Sequence, residues 1–131
     1  MYQVLIADAD VDAWFRVNAM LRRYLVKASF VTNLNAARLC IDKQPPAILF
    51  FDNHLQHNFT PDFIRYVKMK YPQVKIILVN SIGASAQRFK TSVDMVISKP
   101  FLPEIIEHAI IKLFYPQQPQ MQSVLQRAAA E

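Results

Sequence analysis

AILFFDNHL, residues 47–55, is the stretch on which the fold turns. Its first five residues are unbroken apolar, the pattern of a strand covered on both faces rather than a surface strand of alternating polarity. Asp52 ends the run abruptly. Three further short apolar runs end in the same manner: VLIA before Asp8, IILV before Asn80 and Ser81, and MVIS before Lys99. In an open parallel sheet, ligands bind beyond the carboxyl ends of the strands. Two carboxylates, an amide or hydroxyl and an ammonium are therefore expected at one edge of one sheet, although no single segment carries a complete motif.

Helical patterns fill the spaces between these runs. After a first strand at 2–7, residues 11–25 predict a helix with Trp14, Val17, Leu21, Tyr24 and Leu25 on one stripe, Phe15 at its border and Asp10 or its neighbour as N-cap. A second strand is expected at 28–32 and a helix at 34–43 opening after Asn33, stopped by the QPP at 44–46 because proline cannot continue a helix. The third strand is placed at 47–51. Thr60 and Pro61 predict the start of a helix reaching about Lys70. A strand at 75–79, a turn at Gly83, a short polar helix at 84–91 and a strand at 94–98 follow. Pro103 opens a last helix through Phe114, with Ile105, Ile106, Ala109, Ile110 and Leu113 facing inward. Strict alternation of strand and helix implies right-handed βαβ units: an α/β, doubly wound parallel sheet with helices on both faces. Residues 1–114 read as one domain. From 115 to 131 the Pro/Gln-rich YPQQPQMQ opens a stretch expected to be a linker or tail.

At 131 residues the chain can bury about two-thirds of its unfolded surface in one core without staples. The single cysteine, Cys40, has no partner for a bridge and is expected to be a small buried hydrophobe in a cytoplasmic protein. The N-terminal MYQVLIAD lacks a signal peptide's basic region, and no run approaches the roughly 18 apolar residues of a membrane span. A net charge of +5 comes from fifteen Lys and Arg scattered along the chain, which argues for solvated faces rather than a nucleic-acid or membrane surface. Acids behave differently. Asp8, Asp10 and Asp12 fall close together with Asp52 predicted beside them, a local negative pole that calls for a cation such as Mg²⁺.

With these residues placed, the stretch 2–114 resembles the receiver domain of two-component response regulators. An Asp after the first strand, an Asp after the third, a small polar residue after the fourth and Lys-Pro after the fifth make up that family's signature. The resemblance implies a flavodoxin-like sheet of order 2-1-3-4-5 and a signalling module rather than an enzyme. It makes Asp52 the acceptor of a phosphoryl group from a sensor histidine kinase or phosphotransfer protein, and Lys99 the contact to the phosphoryl oxygens. Asp8, Asp52 and the His54 backbone carbonyl become ligands of Mg²⁺, and the Lys99–Pro100 bond is expected to be cis. Asn80 or Ser81 takes the switch position, and an output domain or a second copy of the chain is the expected downstream partner.

The chain departs from that pattern at three places. Ala9 stands where the family has a second acid, so Mg²⁺ is expected to bind weakly unless Asp10 supplies an oxygen. Asn80 falls where a Thr or Ser is usual. Nineteen positions separate Asn80 from Lys99, a short interval, and Val96 replaces a common aromatic. Ala9 and Asn80 favour a second reading, a degenerate receiver acting as a phosphorylation-independent interaction module. A third follows from Asp8–Ala9–Asp10, which also resembles the DxD motif of haloacid-dehalogenase-type phosphatases. FLPEIIEHAII supplies no further acidic pair after a strand for that chemistry.

Overall fold

The computed structural model describes residues 2–24, 26–55, 60–80 and 92–114. It divides into two compact units, and the first, Met1–Pro100, holds the whole sheet. Strands β1 (Tyr2–Ala7), β2 (Val26–Val31), β3 (Ile48–Asp52), β4 (Lys75–Asn80) and β5 (Met95–Ser98) are parallel, in the order β2-β1-β3-β4-β5. This is the expected flavodoxin-like topology. All five residues of β3 are buried, the four apolar ones as a central strand requires and Asp52 at its carboxyl end with them.

Helices α1 (Phe15–Leu21), α2 (Leu34–Lys43) and α3 (Thr60–Lys70) cover the two faces of this sheet. On one face Leu5, Ala7, Leu49, Phe51, Ile76 and Leu78 meet Ala37 and Ile41 of α2 and Phe63, Ile64 and Val67 of α3. The Phe51 and Phe63 rings stack there at 4.9 Å. On the other face Trp14 packs at 5.3 Å from Phe50, and Val17, Met20 and Leu21 of α1 are buried. Each fully buried side chain of this size contributes roughly 1.5–3 kcal/mol, so the two layers supply most of the driving force for folding.

Several local expectations are met. Helix α2 spans the predicted residues, and the Asn33 side chain caps it by accepting the Ala36 N–H at 2.8 Å. Removing that cap in Asn33→Ala is expected to cost about 1 kcal/mol, read as a lowered urea midpoint with unchanged slope. The Lys99–Pro100 bond is cis. At the ends of α2 and α3 remote from the carboxyl edge, Asp42 accepts the hydroxyls of Tyr66 and Tyr71, each at 2.6 Å. Those hydrogen bonds hold its carboxyl below the usual value.

Others are corrected. The segment predicted as one helix over 11–25 is a 3₁₀ turn (Val11–Trp14), a short α1 and a second 3₁₀ turn (Arg22–Tyr24). Strand β2, expected at 28–32, begins at Val26, where Tyr2↔Val26 opens a six-residue parallel ladder with β1. Asp10 precedes the first 3₁₀ turn but makes no side-chain capping bond; its own N–H is instead accepted by Asp8. Phe15 is 81% exposed, since the 3₁₀ turn rotates Trp14 inward and its neighbour outward. Cys40 is exposed, because α2 buries only Ala37 and Ile41 and Cys40 lies on the flank of that narrow stripe.

The second unit runs from Phe101, and its described helix, α4, spans Pro103–Phe114 as predicted. Ile106, Ala109, Ile110 and Ile111 are its buried positions, whereas Ile105 is 46% exposed. Ile105 and Ile111 occupy opposite shoulders of one stripe, and Ile111 is the shoulder that is buried. Leu113 is half-buried. Gly83, the predicted helix at 84–91 and the predicted tail at 115–131 lie outside the described residues. Among the described residues, no helix is long and apolar enough to cross a membrane.

Candidate functional site

The register places the acids. Ala7 pairs with Phe51 on neighbouring strands, so the next residues, Asp8 and Asp52, leave the sheet side by side at its carboxyl edge. Both are buried, with 2% and 6% of their surfaces exposed. Two ionised carboxylates so placed repel each other and lose hydration, an arrangement that needs an opposing cation. Lys99 supplies it. Its strand, β5, stands two positions from β3, roughly 10 Å away at about 4.8 Å per strand, a gap that a lysine stem spans from the strand end. The Lys99 backbone N–H donates to the Asn80 carbonyl at 2.8 Å, which sets the base of that stem. Its ammonium lies 2.6 Å from Asp8 Oδ2 and 3.2 Å from Asp52 Oδ2.

The remaining hydrogen bonds hold the acids in place. Asp8 Oδ1 accepts the Asp10 N–H at 2.9 Å, and Oδ2 accepts the Trp14 indole N–H at 2.8 Å. Asp52 Oδ1 accepts the His54 N–H at 2.9 Å. Burial alone pushes the Asp8 carboxyl up, but hydrogen bonds from Lys99, Trp14 and Asp10 together hold it below 3.8. Burial likewise works against the Lys99 ammonium, and Asp8 and Asp52 together raise it above 10.5.

The structure thus gathers Asp8, Asp52 and Lys99. Asp10 reaches the cluster through its backbone N–H, and its carboxylate is exposed. His54 reaches it through its own N–H, with its side chain exposed. Asn80 Oδ1 accepts the side-chain N–H of Asn53 at 2.8 Å, beside the acids. Ser81 lies outside the described residues. Two contributors were missed from sequence, Trp14 and the buried Asn53. Trp14 carried a usable signal: a buried indole N–H needs an acceptor, and the nearest residue predicted at the sheet edge was Asp8.

The donor set suits a hard divalent cation in part. Two carboxylates already converge on one cationic centre, and with one ammonium the trio keeps a single negative charge. Mg²⁺ is commonly held by one or two carboxylates together with phosphoryl oxygens and water. Among the described residues, no three His, Cys, Asp or Glu side chains gather as a metal cluster.

No protein-family model matches the sequence, and no curated protein sequence does. Solved structures match by shape. The signal receiver domain of a response regulator from Bermanella marisrubri is 23% identical, with 85% of this chain and 96% of that one covered at a TM-score of 0.73. A two-component response regulator from Clostridium difficile is 15% identical, with 90% and 100% covered at 0.76. NtrX from Brucella abortus, solved with ADP, is 17% identical at 0.74; 98% of this chain matches 28% of that longer one. With its sheet order and all-parallel register, this chain has the receiver-domain fold of response regulators.

Proposed function

We propose that this chain is a phosphoacceptor receiver, in which Asp52 takes a phosphoryl group from the phosphohistidine of a sensor kinase or phosphotransfer protein. The observation that carries the reading is the Lys99 ammonium held between two buried carboxylates at the carboxyl edge of the sheet. An Asp52 oxygen attacks phosphorus in line with the donor nitrogen; the P–O bond forms, the P–N bond breaks, and the electron pair leaves with the imidazole. A carboxylate is a weak nucleophile toward an anion, so the site must neutralise charge during transfer. Lys99 does this as a point charge. Asp8 orients the ammonium, and the His54 N–H holds Asp52 Oδ1 so that one face of the carboxylate stays fixed. When bound by Asp8, Asp52 and the His54 carbonyl, Mg²⁺ would supply the remaining charge neutralisation. Signal would pass to an output domain or partner through the region after β4, where Asn80 or Ser81 serves as the switch.

The test is incubation with acetyl phosphate and Mg²⁺ followed by intact mass, beside a receiver of known activity. Gain of one phosphoryl group is expected, and an unchanged mass while the control is labelled would refute the reading. A second reading, an interaction module without phosphorylation, draws on Ala9 and on the Asn80 amide being engaged by Asn53. A phosphatase of the DxD type has less behind it, because the Asp10 carboxylate stands exposed beside the cluster rather than with Asp8.

A further inference from the structure

The buried Trp14 indole N–H needs an acceptor, and the one it finds is the Asp8 carboxylate. Trp14 is fully buried and held against Phe50 at 5.3 Å, while the next residue, Phe15, is 81% exposed. The 3₁₀ turn that aims the indole at Asp8 thus leaves a large aromatic in water. A carboxylate carries about two acceptor sites on each oxygen. On Asp8 the Asp10 N–H takes one site of Oδ1, the indole N–H one site of Oδ2, and Lys99 the other site of Oδ2. Anchors on both oxygens stop the carboxylate from rotating. With the indole N–H on one site of Oδ2, the other site of that oxygen points to the Lys99 ammonium, which also contacts Asp52.

We infer that Trp14 is a positioning residue for cation binding: its indole N–H locks Asp8 so that Oδ2 faces the cationic centre shared with Asp52. The need is sharp in this chain because Ala9 contributes no oxygen, leaving one carboxylate after β1 to serve a hard cation that tolerates little misplacement. Partners of this kind, which orient a ligand without touching the metal, typically change metal affinity about 10–100-fold when removed. This inference rests on the reading of Asp8 and Asp52 as the Mg²⁺ pair.

Trp14 is the sole tryptophan, so the folded chain gives one indole N–H resonance to follow. Titration with Mg²⁺, with no phosphodonor present, is expected to shift that resonance to saturation, with the dissociation constant obtained independently by calorimetry. Trp14→Phe should weaken Mg²⁺ binding about tenfold or more. Benzothienylalanine at position 14 keeps the ring shape and removes only the N–H, and it should give the same loss even where Trp14→Phe packs poorly. A folded benzothienyl variant that binds Mg²⁺ within about twofold of the parent would overturn the proposal. So would a parent chain that binds no Mg²⁺ and whose indole resonance stays fixed. If Asp52 accepts no phosphoryl group yet loss of the N–H still weakens Mg²⁺, the positioning role stands and the phosphoacceptor reading falls; labelling of Asp52 with affinity untouched by the N–H gives the converse.

Discussion

Lys99→Met is expected to destabilise the fold by about 3 kcal/mol at neutral pH, the low end for breaking a buried ion pair, because Lys99 keeps 16% of its side chain exposed. Methionine fills most of the volume, so the loss reports charge rather than a cavity. Asp8 and Asp52 are left adjacent and unneutralised, and they should titrate as a coupled pair with one carboxyl raised. The pH profile then changes sign. In the parent chain the folded Asp8 sits below 3.8, so its contribution to stability is complete above that value and is lost as pH falls through the lower folded value. Lys99 sits above 10.5 when folded, so its contribution holds below 10.5 and is lost as pH climbs through the higher folded value. In Lys99→Met the folded state binds a proton more readily than the unfolded chain, and mild acidification should stabilise it. Urea unfolding between pH 7 and pH 5 separates the two behaviours. A variant as stable as the parent, with no gain on acidification, would show that the ammonium is not the counter-charge of this pair.

Asp52→Asn should eliminate labelling by a small phosphodonor altogether while raising stability by about 1 kcal/mol, in the range seen when a functional strain is removed. Both effects have one cause. The amide has no negative oxygen to attack phosphorus, and its neutrality brings the trio from one excess negative charge to none. Lys99 keeps its 2.6 Å contact with Asp8. Mass spectrometry and a thermal melt on the same sample give both answers. Retained labelling would move the acceptor elsewhere, and a large fall in melting temperature would make Asp52 a structural residue rather than one held at a cost.

What could be read in advance followed the physics of each level. Central strands buried on both faces announce themselves as unbroken apolar runs, so β1, β3 and β4 and their terminal Asp8, Asp52 and Asn80 were legible. Helix α2 was legible because Asn33 and the two prolines bracket it. The first helix was misjudged because a 3.6-residue stripe does not distinguish an α-helix from a 3₁₀ turn aimed by a side-chain bond. Ile105 and Cys40 were misplaced for a related reason: apolar character names candidates for burial but does not decide among them.

Local patterning and chain connectivity were enough for the alternation of elements, and with it the parallel sheet and the edge at which Asp8, Asp52 and Lys99 emerge. Folding in three dimensions added that the Lys99 ammonium bridges both carboxylates and that the Trp14 indole N–H joins the Asp10 N–H on Asp8. Those outcomes depend on strand register and on which buried donor finds which buried acceptor. Such pairings between distant residues are settled by the need to satisfy every charge removed from water, a condition that no local stretch of sequence expresses.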